Sequence, residues 1–179
     1  DLGNSPQLFT PEKIAGKILI LTTTNGTVAM HAARKARTRY AAALLNAQAV
    51  VEQLITEPLI NEQLTTERHQ TGTDIAIFCA GTDGVVTEED LLLAGCLVSR
   101  LSRQGQCQWN SHAETAKQLW ENRFCTGNRE SISEFALIEF LRQSRGGKNL
   151  IELGFDADIE AAARIDSINI VPEFRQLPP

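Results

Sequence analysis

The sequence predicts an α/β fold, a largely parallel sheet covered by helices, on three observations. Short apolar, β-branched runs alternate with helical patterns from residue 17 to residue 103. The runs end in polar, turn-forming segments, and the helical patterns place small or apolar residues along one face. Alternation of this kind is what strands joined by helical crossovers produce.

The elements follow in order. Residues 17–21 (Lys-Ile-Leu-Ile-Leu) open after Gly16 and end in three threonines, as a buried strand does. Asn25-Gly26 then forces a turn, and Thr27 is placed to cap a helix through Val28, Ala29, Ala32, Ala33 and Ala36. Residues 40–45 form a second apolar run, and Asn46 is placed to cap a helix with Ala49, Val50, Gln53 and Leu54 on one face. Residues 57–72 are polar and Thr-rich, an excursion without a clear pattern. Residues 74–79 (Asp-Ile-Ala-Ile-Phe-Cys) read as a third strand ending at Ala80-Gly81 and an Asp83-Gly84 turn. Thr87 and Asp90 mark a helix start followed by Leu91, Ala94, Val98 and Leu101 on one face. Residues 113–124 and 130–143 are helical patterns, 149–155 fits strand or helix, 158–165 reads as helix, and 167–171 as a last strand closed by Pro172. Trp109 and Trp120 read as packing residues, and the basic cluster from Arg34 to Arg39 as a solvated helix end.

Composition narrows the function classes. With 179 residues, 42% hydrophobic and 22% charged, the chain is expected to form a single domain over 1–179. Its apolar runs reach only about eight residues, so no membrane helix is expected. The balance of 17 Lys+Arg against 22 Asp+Glu gives a net charge of −5, which argues against nucleic-acid binding through phosphate contacts. An anionic ligand must then meet a local positive field. The four cysteines include no Cys-x-x-Cys pair, and the three histidines no His-Glu-x-x-His arrangement, so a zinc hydrolase is not expected. No leader pattern opens the chain, and a cytoplasmic address is expected. Because the chain begins at Asp1 and its only Met is Met30, it is expected to be processed or a fragment.

Ligands in open α/β sheets bind beyond the carboxyl ends of the strands. Thr22-Thr23-Thr24-Asn25-Gly26-Thr27 lies there, with four hydroxyls, an amide and a glycine before a helix start. It reads as a cradle for phosphate, sulfate or carboxylate, or as β-favouring threonines before a plain turn. It matches neither the Walker loop nor the dinucleotide fingerprint. Glu88-Glu89-Asp90 offers carboxylates to a hard cation such as magnesium, though acids also suit a helix's first turn on dipole grounds. Gly81 sits at the third strand end, and Cys79 beside it is a nucleophile only in principle, since nothing nearby in sequence lowers its pKa. Asp156-Ala157-Asp158 has Asp-x-Asp spacing but reads as a helix start.

Together these segments resemble the 2-phosphosulfolactate phosphatase family. The resemblance rests on Asp1-Leu2-Gly3-Asn4-Ser5-Pro6, the Thr22 to Thr27 motif, Cys79-Ala80-Gly81, Glu89-Asp90, Ala94-Gly95, Leu150, Gly154-Phe155, Asp158-Ile159 and Val171-Pro172. It implies a three-layer α/β/α fold with a largely parallel or mixed sheet, and a magnesium (Mg2+)-dependent phosphatase acting on a small anionic, phosphorylated and sulfonated hydroxy acid in coenzyme M biosynthesis. Asp1, Glu89 and Asp90 would then face the metal, with Asp1, Asp90 and Thr24 catalytic. Asn4, Ser5, Thr23, Thr24, Asn25, Gly26, Thr27 and Gly81 would hold the substrate's anionic groups. In the family, the Asp-Leu-Gly-Asn-Ser-Pro element follows a further strand and loops bearing an acid, an Arg and hydroxyls, and the chain as given is expected to lack that N-terminal segment. A homo-oligomer is left open. The alternatives are a phosphatase for another small phospho-acid and a module that binds an anionic metabolite without turnover.

Overall fold

The computed structural model describes residues 2–56, 74–105, 107–127 and 129–175. Asp1 and the polar stretch 57–72 therefore lie outside the described residues. The helices are α1 (Pro11–Ile14), α2 (Gly26–Ala32), α3 (Ala47–Thr56), α4 (Glu88–Ser102), α5 (Ser111–Phe124), α6 (Glu134–Gln143), α7 (Arg145–Glu152) and α8 (Asp156–Ala162). A two-residue ladder, β1 (Cys125–Thr126) against β2 (Arg129–Glu130), is antiparallel and joins α5 to the segment before α6.

The core forms around α4. Leu92, Cys96, Leu97 and Leu101 of α4 meet Val50 and Val51 of α3, Trp120 and Phe124 of α5, and Leu137 of α6, all buried. Removing a Leu side chain of this kind from water contributes about 1.5–3 kcal/mol. Gly95 permits a close approach of α4 to α5, because a methyl built there would overlap the carbonyl of Ala116 on α5. The Arg100 guanidinium is also buried, held by Glu130 at 2.9 Å and Asp166 at 2.8 Å. Burial disfavours its charge, but the hydrogen bonds it donates to these two carboxylates more than offset that and raise its pKa.

The helices predicted around Val28, Val50 and Leu91 form as α2, α3 and α4, and the ambiguous stretch 149–155 resolves as the end of α7 and a turn. The parallel or mixed sheet does not form among the described residues. Segments 17–22, 74–80 and 167–171 have no strand assignment, and β1–β2 is the one ladder there. No backbone hydrogen bond within the described residues involves 18–22 or 75–80. Ile18 is 95% exposed and Ile20 94%, so these β-branched runs have the composition of buried strands without strands beside them. The last run is tied down differently. Ile168 N–H donates to Leu45 O at 2.9 Å, and the Asn46 amide donates to Ile170 O at 2.9 Å. Among the described residues, no helix is long and apolar enough to cross a membrane.

Candidate active site

The turn that follows the third apolar run is built by backbone geometry. Gly81 has φ +69°, and a Cβ there would press on the carbonyl of Val85 at 2.6 Å, so only glycine fits. Thr82 and Val85 close the turn with mutual N–H to carbonyl bonds of 2.8 and 3.1 Å. Asp90, one turn into α4, fastens this loop to the helix start. Its Oδ2 accepts from the Gly81 N–H at 2.8 Å, the Thr87 hydroxyl at 2.9 Å and the Thr87 N–H at 3.4 Å. The carboxylate expected to serve the metal is thus also the brace of its own loop.

Glu89, beside it, has a different environment. Its Oε2 is buried without a hydrogen-bond partner, and its Oε1 lies against Gly146 in the first turn of α7. The α7 start is capped by buried Ser144, whose hydroxyl accepts from the Gly147 N–H at 3.0 Å and donates to Leu141 O at 2.8 Å. Arg145 reaches Asp83 of the turn at 2.8 Å. The starts of α4 and α7 therefore meet at the Glu89 carboxylate, and Arg145 links the α7 start to the turn. An open cleft of about 650 Å³ adjoins them, lined by Thr87, Glu88, Arg145, Lys148 and Asn149 among others.

The threonine loop is held mainly by itself. Thr23 Oγ1 accepts from the Thr27 N–H at 3.0 Å, and the Thr27 hydroxyl donates to Thr23 O at 2.7 Å. Thr23, rather than Thr27, thus caps the first turn of α2. The Thr24 hydroxyl and the Asn25 amide make no hydrogen bond among the described residues, and Gly26 carries the loop into α2. No hydrogen bond or ion pair among them joins this loop to the 81–90 region. Ser5 donates to Asp158 Oδ1 at 2.8 Å, while Asn4 is exposed. Asp1 lies outside the described residues. Cys79 is unsuited to attack, because burial, and then the nearby charge of Asp90, push its thiol above the ordinary range.

The α7 start and the pairing of Asp158 with Ser5 are features of the structure that the sequence does not announce. The one signal for the former is Ser144-Arg145-Gly146-Gly147, a helix cap followed by two glycines that leave room beside it.

A sequence model of the 2-phosphosulpholactate phosphatase family matches residues 1–176. The chain belongs to this family. Proteins named probable 2-phosphosulfolactate phosphatase from Thermotoga petrophila and Thermotoga maritima are each 37% identical over 172 residues, 96% of this chain and 63% of the relative. One of the same name from Deinococcus radiodurans is 34% identical over 173 residues, 96% of this chain and 62% of the relative. The chain thus spans less than two thirds of the length of these 2-phosphosulpholactate phosphatase family relatives. The matched region includes the Gly81 turn, Glu89, Asp90 and the α7 start.

Proposed function

We propose that the protein hydrolyses 2-phosphosulfolactate to sulfolactate and phosphate with the help of a divalent cation, Mg2+. The name of the family and of its relatives supports the substrate class. The observation that carries the chemistry is the Glu89 Oε2, a buried carboxylate oxygen with no hydrogen-bond partner. An anionic oxygen left in that state is unfavourable unless something positive meets it. The donor set fits a hard cation. Among the described residues no group of three or more His, Cys, Asp or Glu converges, and magnesium needs only one or two carboxylates, with water and substrate phosphate filling the rest. Glu89 would be one ligand and the Asp90 oxygen not used by the loop a second, with Asp1, which lies outside the described residues, facing the ion through water.

When bound, Mg2+ would neutralise and orient the phosphate and the water that attacks it. The chain's own groups would do the remainder. Asp90 holds the Gly81 turn in shape, and Gly81 would help to hold the substrate. Thr24, Asn25 and the backbone of 25–27 would hold a second anionic group, with Asn4 and Ser5 adding hydrogen bonds. The extended runs at 17–22, 74–80 and 167–171 are, on this reading, strands of a three-layer α/β/α fold. We place the enzyme in the cytoplasm and in coenzyme M biosynthesis, acting on a small molecule rather than nucleic acid.

The test is phosphate release from 2-phosphosulfolactate by the full-length protein, with Mg2+ and with a chelator. Release that stops with chelator and returns with added Mg2+ is expected; equal rates in both would sink the metal role, and no release in either would sink the activity.

A further inference from the structure

We infer that Gly146 is a positioning residue, whose missing side chain leaves the space in which the Glu89 carboxylate lies and so sets Glu89 Oε2 where a divalent cation can take it. This rests on, and deepens, the reading of Glu89 given above. Glu89 comes from the first turn of α4 and Gly146 from the first turn of α7, so their meeting is a tertiary arrangement. A methyl built on Gly146 would overlap Glu89 Oε1 and come within 3.2 Å of its Cδ. What it strikes is the far end of a flexible side chain. The backbone can stay where it is while the carboxylate is displaced.

The neighbouring glycine is different in kind. A methyl on Gly147 would overlap the carbonyl of Leu141 and lie 3.0 Å from Arg142 Cα, backbone that cannot swing aside. Gly147 therefore serves the packing of α7 on α6, and Gly146 serves the carboxylate. The floor beneath Glu89 is also held, by the buried Ser144 hydroxyl that accepts from the Gly147 N–H and donates to Leu141 O. A carboxylate with one oxygen against this floor and the other buried and unpaired is poised for a ligand that it does not find within the described residues.

The experiment follows metal binding rather than turnover, by the Mg2+-dependent rise in unfolding temperature and by Mn2+ water-proton relaxation. Gly146→Ala and Glu89→Gln are each expected to weaken binding by about ten- to hundred-fold, the range seen when groups that orient a metal ligand are removed. Gly146→Ala should leave metal-free stability near that of the unaltered protein, whereas Gly147→Ala should lower it clearly. Glu89→Asp, shorter by one methylene, should weaken binding alone but recover part of the loss when combined with Gly146→Ala, a coupling that independent sites do not give. Binding unchanged in Gly146→Ala but weakened in Glu89→Gln overturns the positioning role alone. Binding unchanged in both overturns the metal role of Glu89 as well. A metal-free destabilisation by Gly146→Ala equal to that of Gly147→Ala, or no coupling in the double variant, reduces Gly146 to a packing residue and overturns the inference.

Discussion

The Ser5 hydroxyl donates to Asp158 Oδ1 at 2.8 Å, a bond between positions 153 residues apart. It ties the first motif of the chain to the start of α8, so Ser5 is committed to a structural partner whatever else it holds. Ser5→Ala is expected to lower stability by about 1–2 kcal/mol, the worth of a hydrogen bond to a charged group in a half-buried place. Asp158→Ala should cost a similar amount, and the double variant little more than either one. Denaturant unfolding of the set checks this; fully additive losses would show that the bond does not carry the effect.

Asp90 and Glu89 are adjacent but predict opposite signatures. Asp90→Ala removes the acceptor of the Gly81 N–H and of Thr87, and should cost about 1–2 kcal/mol together with most of the turnover. Glu89→Gln removes a charge that bonds to nothing among the described residues, and should reduce turnover with little change in unfolding temperature. Loss of stability in Glu89→Gln and none in Asp90→Ala would reverse the two assignments.

Cys79 is expected to be a bystander. Its thiol is pushed above the ordinary 9.0 by burial first and by the negative charge of Asp90 second, so the reactive thiolate is scarce at neutral pH. Alkylation at pH 7 should reach exposed Cys107 well before Cys79, and the Cys79 rate should climb only at clearly alkaline pH. Cys79→Ala should retain turnover; its abolition would restore the thiol as a nucleophile.

Local signals explain which parts of this structure the sequence displays. The Thr87 and Asp90 spacing announces α4 because the capping residues and the helix they cap are neighbours. The helical patterns at 113–124 and 130–143 announce α5 and α6, but their caps, Asn110 and Ser133, each accepting from an N–H three residues on, are seen only in the structure. Trp120 reads as a packing residue and is fully buried. The runs at 17–21 and 74–79 have strand composition, but a strand needs a partner, and composition cannot name one. The meeting of Glu89 with Gly146 and of Ser5 with Asp158 depends on where helices cross, which no spacing encodes. The threonine motif was legible as polar and turn-forming, yet which hydroxyl caps and which stays free followed only from geometry.

Arg100 joins three parts of the fold, and its loss should be costly. It meets Glu130 through three hydrogen bonds and Asp166 through one, and Asp166 in turn accepts from the Gln48 N–H at the start of α3. Among the described residues, Arg100→Met leaves Glu130 with only Arg103 at 3.4 Å and Asp166 with only the Gln48 N–H, at an expected cost of about 3 kcal/mol. Arg100→Lys should recover only part, because an ammonium lacks the fork that engages both partners. Thermal unfolding decides it, and a loss under about 1 kcal/mol in Arg100→Met would show the network to be dispensable.

The threonine loop allows its two central hydroxyls to be told apart. Thr23 Oγ1 is used within the protein, accepting the Thr27 N–H at 3.0 Å, while the Thr24 hydroxyl is exposed and bonds to nothing among the described residues. Replacing Thr23 with Val should unseat the first turn of α2 and lower stability by about 1 kcal/mol, the worth of a helix cap. Replacing Thr24 with Val keeps the branched shape and should leave stability unchanged within about 0.5 kcal/mol, as expected for a surface change that touches no such feature. If Thr24 meets the substrate's anion, its loss should appear as a raised KM, in kcat, or in both, at constant unfolding temperature. A Thr24→Val protein with unaltered KM and kcat would place the anion elsewhere and leave the loop as a turn that only starts a helix.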